Sequence, residues 1–202
     1  MNEKSKEILK EAGWYEGRNI DIDDIVKFCE EGGYEVFPKA REFFKEFGDI
    51  IVKKDGYDYH IFNLKEVFAG RQYNGCLSKV IRKVIGEKVL LIGNIYGFMF
   101  DLYISESGKI YDDQAYLGEN IYEAWDCILE TLSTDEDRKR YLLWEEIGLK
   151  DAFWEAYNEV YYGDKLRERI INLQQEGHSN KDIVKAINMR EEFVVKLATK
   201  NK

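Results

Sequence analysis

Two histidines, three cysteines and several carboxylate pairs are the side chains with which this 202-residue chain would have to do chemistry. A histidine-dependent triad needs a nucleophile and an orienting acid converging on one imidazole. His60 alternates within an apolar run, His178 falls at a turn between two helical patterns, and no reaction motif surrounds either. Cys29, Cys76 and Cys127 are far apart and lie on apolar helical faces, where a thiol is ordinarily a small buried hydrophobe. Neither C-x-x-C nor H-E-x-x-H occurs, so no metal and no cofactor is expected. Gly93 and Gly97 sit between two strand patterns, with no Gly-Lys-Ser/Thr and no helix opening behind them. A phosphate cradle needs backbone N–H groups converging at a helix N-terminus, so these are turn glycines. The acid pairs Glu30-Glu31, Asp112-Asp113 and Glu145-Glu146 are adjacent in sequence and point in different directions, which suits a solvated face better than glycoside hydrolysis. An enzyme is not expected.

The totals point to binding. The formal net charge is −9 and aromatic residues make up 14% of the chain, with 14 tyrosines. Carboxylates give fast, specific association with a basic partner, and tyrosine offers large contact area at low entropy cost. Tyr96, Asp112, Asp113 and Tyr116 fall at or beyond strand edges and are the candidate partner-binding residues. No apolar segment reaches the roughly 18–20 residues that span a membrane. The polar N-terminus lacks the apolar core of a signal peptide, so the expected location is cytoplasmic.

These residues need a scaffold, and the stretch from Glu87 to Tyr111 supplies it. Val89 to Ile92 is an apolar run. Phe98, Phe100, Leu102 and Ile104 then alternate on one face, and Ser105 to Gly108 is a turn before Ile110 and Tyr111. Period-2 runs broken by Gly and Ser predict antiparallel strands. Two more strands, Ile50 to Lys53 and Tyr57 to Phe62, flank the hairpin signal Asp55-Gly56. Helices are predicted over Glu3 to Glu11, after a cap at Asp21, from Pro38 to Phe47, over Leu77 to Ile85 and over Ile121 to Leu132. The result is an α+β domain over 1–133, in which an antiparallel sheet is wrapped by helices.

The rest of the chain is predicted all-helical: a connector over 134–164 and a small module over 165–202. The module carries nine Lys/Arg against five Asp/Glu, whereas the residues before it carry 21 against 34. Three helices are read, Leu166 to Glu176, Asn180 to Ile187 and Arg190 to Lys200, around Ile170, Leu173, Ile183, Ile187, Met189, Val194 and Leu197. The spacing is similar to a helix-turn-helix, with Lys185, Lys196 and Lys200 as candidate contacts to a DNA backbone. Glu191 and Glu192 would face phosphates in the first turn of the recognition helix, which favours packing or dimerisation instead.

The order of short motifs resembles the third subfamily of the SUKH superfamily of bacterial immunity proteins over residues 5 to 133. Ala12-Gly13-Trp14, Gly17-Arg18, Ala40 to Phe43 and Phe47-Gly48 carry the resemblance. So do Leu91-Ile92-Gly93, Gly97, Leu102 to Ile104, Gly108 to Tyr111 and Gly118. Ile92 stands where the family commonly has proline, and an Asp-Pro pair is missing near Asn63-Leu64. The resemblance implies a SUKH-like sheet wrapped by helices and a non-enzymatic partner that neutralises a toxin protein, often a nuclease. A DNA-binding regulator using residues 165–202 is the alternative.

Overall fold

The computed structural model describes residues 1–69, 76–112, 115–131, 156, 167–187, 194–195 and 198–199. They belong to two units, Met1–Asp151 and Ala152–Lys202. Helices α1 (Glu3–Glu11), α2 (Asp23–Glu31) and α3 (Pro38–Phe47) open the first unit. The Asn2 side chain caps α1 by accepting from the Ser5 N–H at 2.8 Å. Ile22, not Asp21, occupies the N-cap position of α2, and Asp21 instead accepts from the Asp23 N–H at 2.9 Å. Pro38 sits in the first turn of α3, where its fixed φ suits the helix and its missing N–H costs nothing. The period-3.6 stripe Ala40, Phe43, Phe44 and Phe47 is the buried face of that helix.

Six strands follow as an antiparallel meander in chain order: β1 (Ile51–Lys54), β2 (Tyr57–Ile61), β3 (Val89–Ile95), β4 (Phe100–Ser105), β5 (Ile110–Asp112) and β6 (Tyr116–Gly118). α4 (Leu64–Ala69) and α5 (Cys76–Ile85) lie between β2 and β3, and α6 (Ile121–Ile128) follows β6. Register sorts the side chains by face, because directly paired residues share one. Leu90 pairs with Ile104, which pairs with Ile110, and these join the main core with residues of α1, α2, α3 and α6. Leu91 pairs with Tyr103, which pairs with Tyr111, on the other face. Val80 and Ile81 of α5 are fully buried outside the main core, and α5 packs on β3. The sheet is therefore wrapped on both faces, with a helical extension following it in the chain.

Other local features also differ from expectation. Phe98 does not continue the inward row of β4. It lies in the β3–β4 turn at φ 66°, and only Phe100, Leu102 and Ile104 keep the alternation. α6 ends at Ile128, with Leu129 at its C-cap and in the core, while Leu132 lies outside the described residues. α4 and β6 are elements that the sequence pattern does not announce: each is short, six and three residues, and too brief for a period to register.

In the second unit, residues 167–175 are helical and α7 spans Asn180–Ile187. Ser179 opens α7 with a reciprocal cap. Its hydroxyl accepts from the Asp182 N–H at 3.2 Å and donates to the Asp182 carboxylate at 2.5 Å. Ile170, Ile183 and Val194 form the core, with Leu173, Val184 and Ala198 packed against it. The expected connector over 134–164 lies outside the described residues except for residue 156, which is helical and buried. The side chains of Ile187, Met189 and Leu197 are likewise outside them.

Gly93 shows how tightly the first unit is built. The register shifts between Leu91 and Gly93, so the strand bulges there. A Cβ at this position would meet Phe62 Cδ1 at 2.5 Å and the Ile61 carbonyl oxygen at 2.7 Å, and both are held in place by the core. Gly93→Ala is expected to lower stability by about 1–3 kcal/mol, the usual range for overpacking. A urea unfolding midpoint equal to that of the native chain would refute this.

Candidate protein-binding surface

The end of the sheet that carries the β1–β2, β3–β4 and β5–β6 turns gathers several of the expected residues. Tyr96, Gly97 and Phe98 are all left-handed, at φ 55°, 63° and 66°. Two non-glycine residues in that region, one on each side of Gly97, are costly, and the surroundings must hold them. The Gly97 N–H donates to the Tyr59 carbonyl at 2.8 Å. The Tyr96 ring packs edge-on against His60, Tyr59 and Phe100, at 5.2, 5.7 and 6.0 Å between centroids. Its hydroxyl donates to the Cys127 carbonyl at 3.4 Å. Burial, then the nearby acidic groups, push the Tyr96 phenol well above its ordinary value. Tyr96 is thus a neutral, half-buried ring tying the turn to α6.

Asp112 is 7% exposed, and its carboxylate accepts from the Ala115 N–H at 2.6 Å, closing the β5–β6 turn. Asp113 lies outside the described residues. Tyr116 is half-buried, packs its ring at a tilt against Tyr111, 5.5 Å between centroids, and donates to the Glu119 carboxylate. The fold brings Tyr96 and Asp112 to one end of the sheet and ties Tyr116 to Glu119, just before α6. Lys185 in the second unit is exposed, and Lys196 and Lys200 lie outside the described residues.

The most exposed apolar side chains at the turn end are Tyr57, at 77%, and Met99, at 66%. Both follow a turn glycine by one or two residues, at Gly56 and Gly97, and that position was the available signal. A second feature escaped the sequence pattern altogether. An open groove of about 220 Å³ runs between α3 and the start of α6. Phe43, Phe47, Ile104 and Ile121 lie beneath it, with Glu42, Glu46 and Glu119 around it. The Glu46 carboxylate accepts from two neutral donors, the Trp14 indole N–H at 3.1 Å and the Tyr122 hydroxyl at 2.6 Å. Burial first and this hydrogen bond second raise the Tyr122 phenol to about 12, so it stays a donor.

Cys29 is buried, and desolvation raises its thiol to about 11, far from a nucleophilic thiolate. Among the described residues no group of three or more His, Cys, Asp or Glu could hold a metal ion. No helix among them is long and apolar enough to cross a membrane. The architecture is that of an α+β domain with acidic and aromatic side chains at the turn end of its sheet and around the groove.

The model of the SUKH-3 immunity protein family matches residues 1–131, from α1 to just past α6, and the chain belongs to that family. Its members are non-catalytic proteins that bind partners. No curated protein and no solved structure matches the chain.

His60 gives this surface a pH dependence. It is 3% exposed, its Nδ1 has no hydrogen-bond partner, and burial, reinforced by Lys54, depresses its pKa from 6.5 to about 4. The unfolded chain therefore binds a proton here more readily than the folded one. Stability contributed by neutral His60 is complete above about pH 6.5 and falls away as pH drops toward 4, by up to about 3 kcal/mol. Comparing urea midpoints of the native chain and His60→Gln across that range isolates the effect from titrating carboxylates. Parallel curves for the two proteins would contradict the assignment.

Proposed function

We propose that this protein binds and neutralises a bacterial toxin protein, as a stoichiometric inhibitor acting in the cytoplasm of the producing cell. The observation that carries the reading is the match to SUKH-3 immunity proteins across the whole sheet domain. The charge agrees with it. Before residue 165 the chain holds 34 Asp/Glu against 21 Lys/Arg, which suits a basic partner such as a nuclease. Tyr96, Asp112, Asp113 and Tyr116 are the proposed strand-edge contacts. Within this set Asp112 supports its turn, so Asp113 is the better probe of charge.

The test is co-expression with the toxin domain encoded by an adjacent gene. Cells should survive only when both chains are present, and the two should co-elute as a stable complex. Asp113→Lys is expected to slow association several-fold at low salt while leaving the thermal midpoint within about 1 °C, as a rim charge does. Survival without complex formation would sink the reading, and unchanged kinetics would remove Asp113 from the surface.

A second reading is favoured by one observation: the charge balance inverts to nine Lys/Arg against five Asp/Glu over 165–202. On it the C-terminal module contacts a DNA backbone through Lys185, Lys196 and Lys200. The full chain should then retard duplex DNA at low salt and release it steeply as salt rises. No retardation at low ionic strength would eliminate this alternative.

A further inference from the structure

We propose that the groove between α3 and α6 receives an arginine side chain of the partner protein, with its guanidinium on Glu46 and its stem along the Tyr122 ring and the edge of Ile121. The identity of the occupant rests on charge and shape. Three carboxylates and one ammonium, Lys39, line the groove. Lys39 is already paired with Glu42 at 2.6 Å, and Glu119 is paired with Lys109 at 3.7 Å. Arg18 lines a neighbouring cleft together with Lys6, Lys10 and Glu46, and it donates to the carbonyls of Glu46 and Gly48 at 2.7 and 2.8 Å. Glu46 is thus the lining carboxylate whose hydrogen bonds come from neutral donors. Trp14 and Tyr122 hold it in place without neutralising it.

That arrangement is preorganised for a cation, because the carboxylate is oriented before the partner arrives. Each oxygen retains acceptor capacity beyond its present donor. The Tyr122 ring, 44% exposed, offers a face beside the carboxylate. Arginine uses both features: its planar fork meets a carboxylate in two parallel hydrogen bonds, and its weakly hydrated guanidinium stacks on aromatic rings. Lysine would bring a point charge that stays strongly hydrated. The exposed Tyr122 ring suits the methylene stem of a long basic side chain.

The inference deepens the toxin-binding reading, but its test does not need the toxin. The full chain, isotopically labelled, is titrated with Nα-acetyl-arginine N-methylamide and, separately, with the neutral norleucine analogue. Amide shifts confined to Glu46, Phe47, Ile121 and Tyr122, with at least tenfold weaker response to norleucine, are the expected result. Glu46→Gln should reduce the arginine response at least fivefold while the rest of the spectrum stays in place. Shifts scattered over the acidic surface, an equal response to norleucine, or an unchanged response in Glu46→Gln would each overturn the proposal. If Glu46→Gln does not fold, the two titrations of the native chain still decide it. A chain that binds the arginine probe but forms no complex with the neighbouring toxin keeps the groove and loses the toxin reading.

Discussion

The Phe47 ring is the contact on which the first unit depends. It is fully buried, stacks on Trp14 at 6.2 Å, and lies 5.6 Å from Phe43, 6.0 Å from Tyr122 and 5.1 Å from Trp125. Those rings come from the loop after α1, from α3 and from α6. Phe62, at the end of β2, joins through Trp125 at 4.9 Å and Phe43 at 6.1 Å. Each such pair is worth about 0.5–1.5 kcal/mol beyond the area it buries. One side chain therefore fixes how the loop after α1, α3 and α6 meet over the sheet. The packing carries a penalty: the Trp125 indole nitrogen is buried without an acceptor.

The same cluster builds the surface. Trp14 and Tyr122 are each aromatic neighbours of Phe47 on one side and hydrogen-bond donors to Glu46 on the other. A negative charge is consequently held on the outer wall of the core by residues that cannot move without disturbing that core. The N-terminus reinforces the arrangement from the other end of α6, where the Asn2 N–H and the Ser5 hydroxyl donate to Asp126 at 2.8 and 2.5 Å. Acidic side chains thus tie elements together here as well as charging the surface. Tyr96 and Asp112 belong to the first role, since one anchors a left-handed turn and the other closes the turn beside it. Net charge alone does not distinguish the two roles, because both use the same residue types.

Much of the scaffold was legible in the chain. The 3.6-residue stripe of α3, the period-2 run of β4 and the Asp55-Gly56 hairpin signal are local patterns, each set by side chains within a few residues of one another. So are the proline in the first turn of α3 and the Ser179-Asp182 cap of α7. The motif order from Ala12 to Gly118 was enough to indicate the family. What these share is that burial on one face and the geometry of one turn can be judged without knowing what lies opposite.

Where the chain misled, the cause lay in a partner distant in sequence. Phe98 reads as one more inward residue of an alternating row, but the hydrogen bond from Gly97 to Tyr59 pulls the turn over and removes it from the strand. Gly93 reads as a turn glycine, and only Phe62 pressing on it shows that it is a bulge with no room for a methyl group. Glu46 reads as one acid among 39, and only Trp14 and Tyr122, 32 and 76 residues away, single it out. The sequence by itself determined the longer elements, most of their inward faces and the family, because local patterning and turn chemistry encode them. The tertiary structure alone decided which carboxylate stands without an ion pair beside an apolar groove, because that depends on which cations the fold has already committed elsewhere.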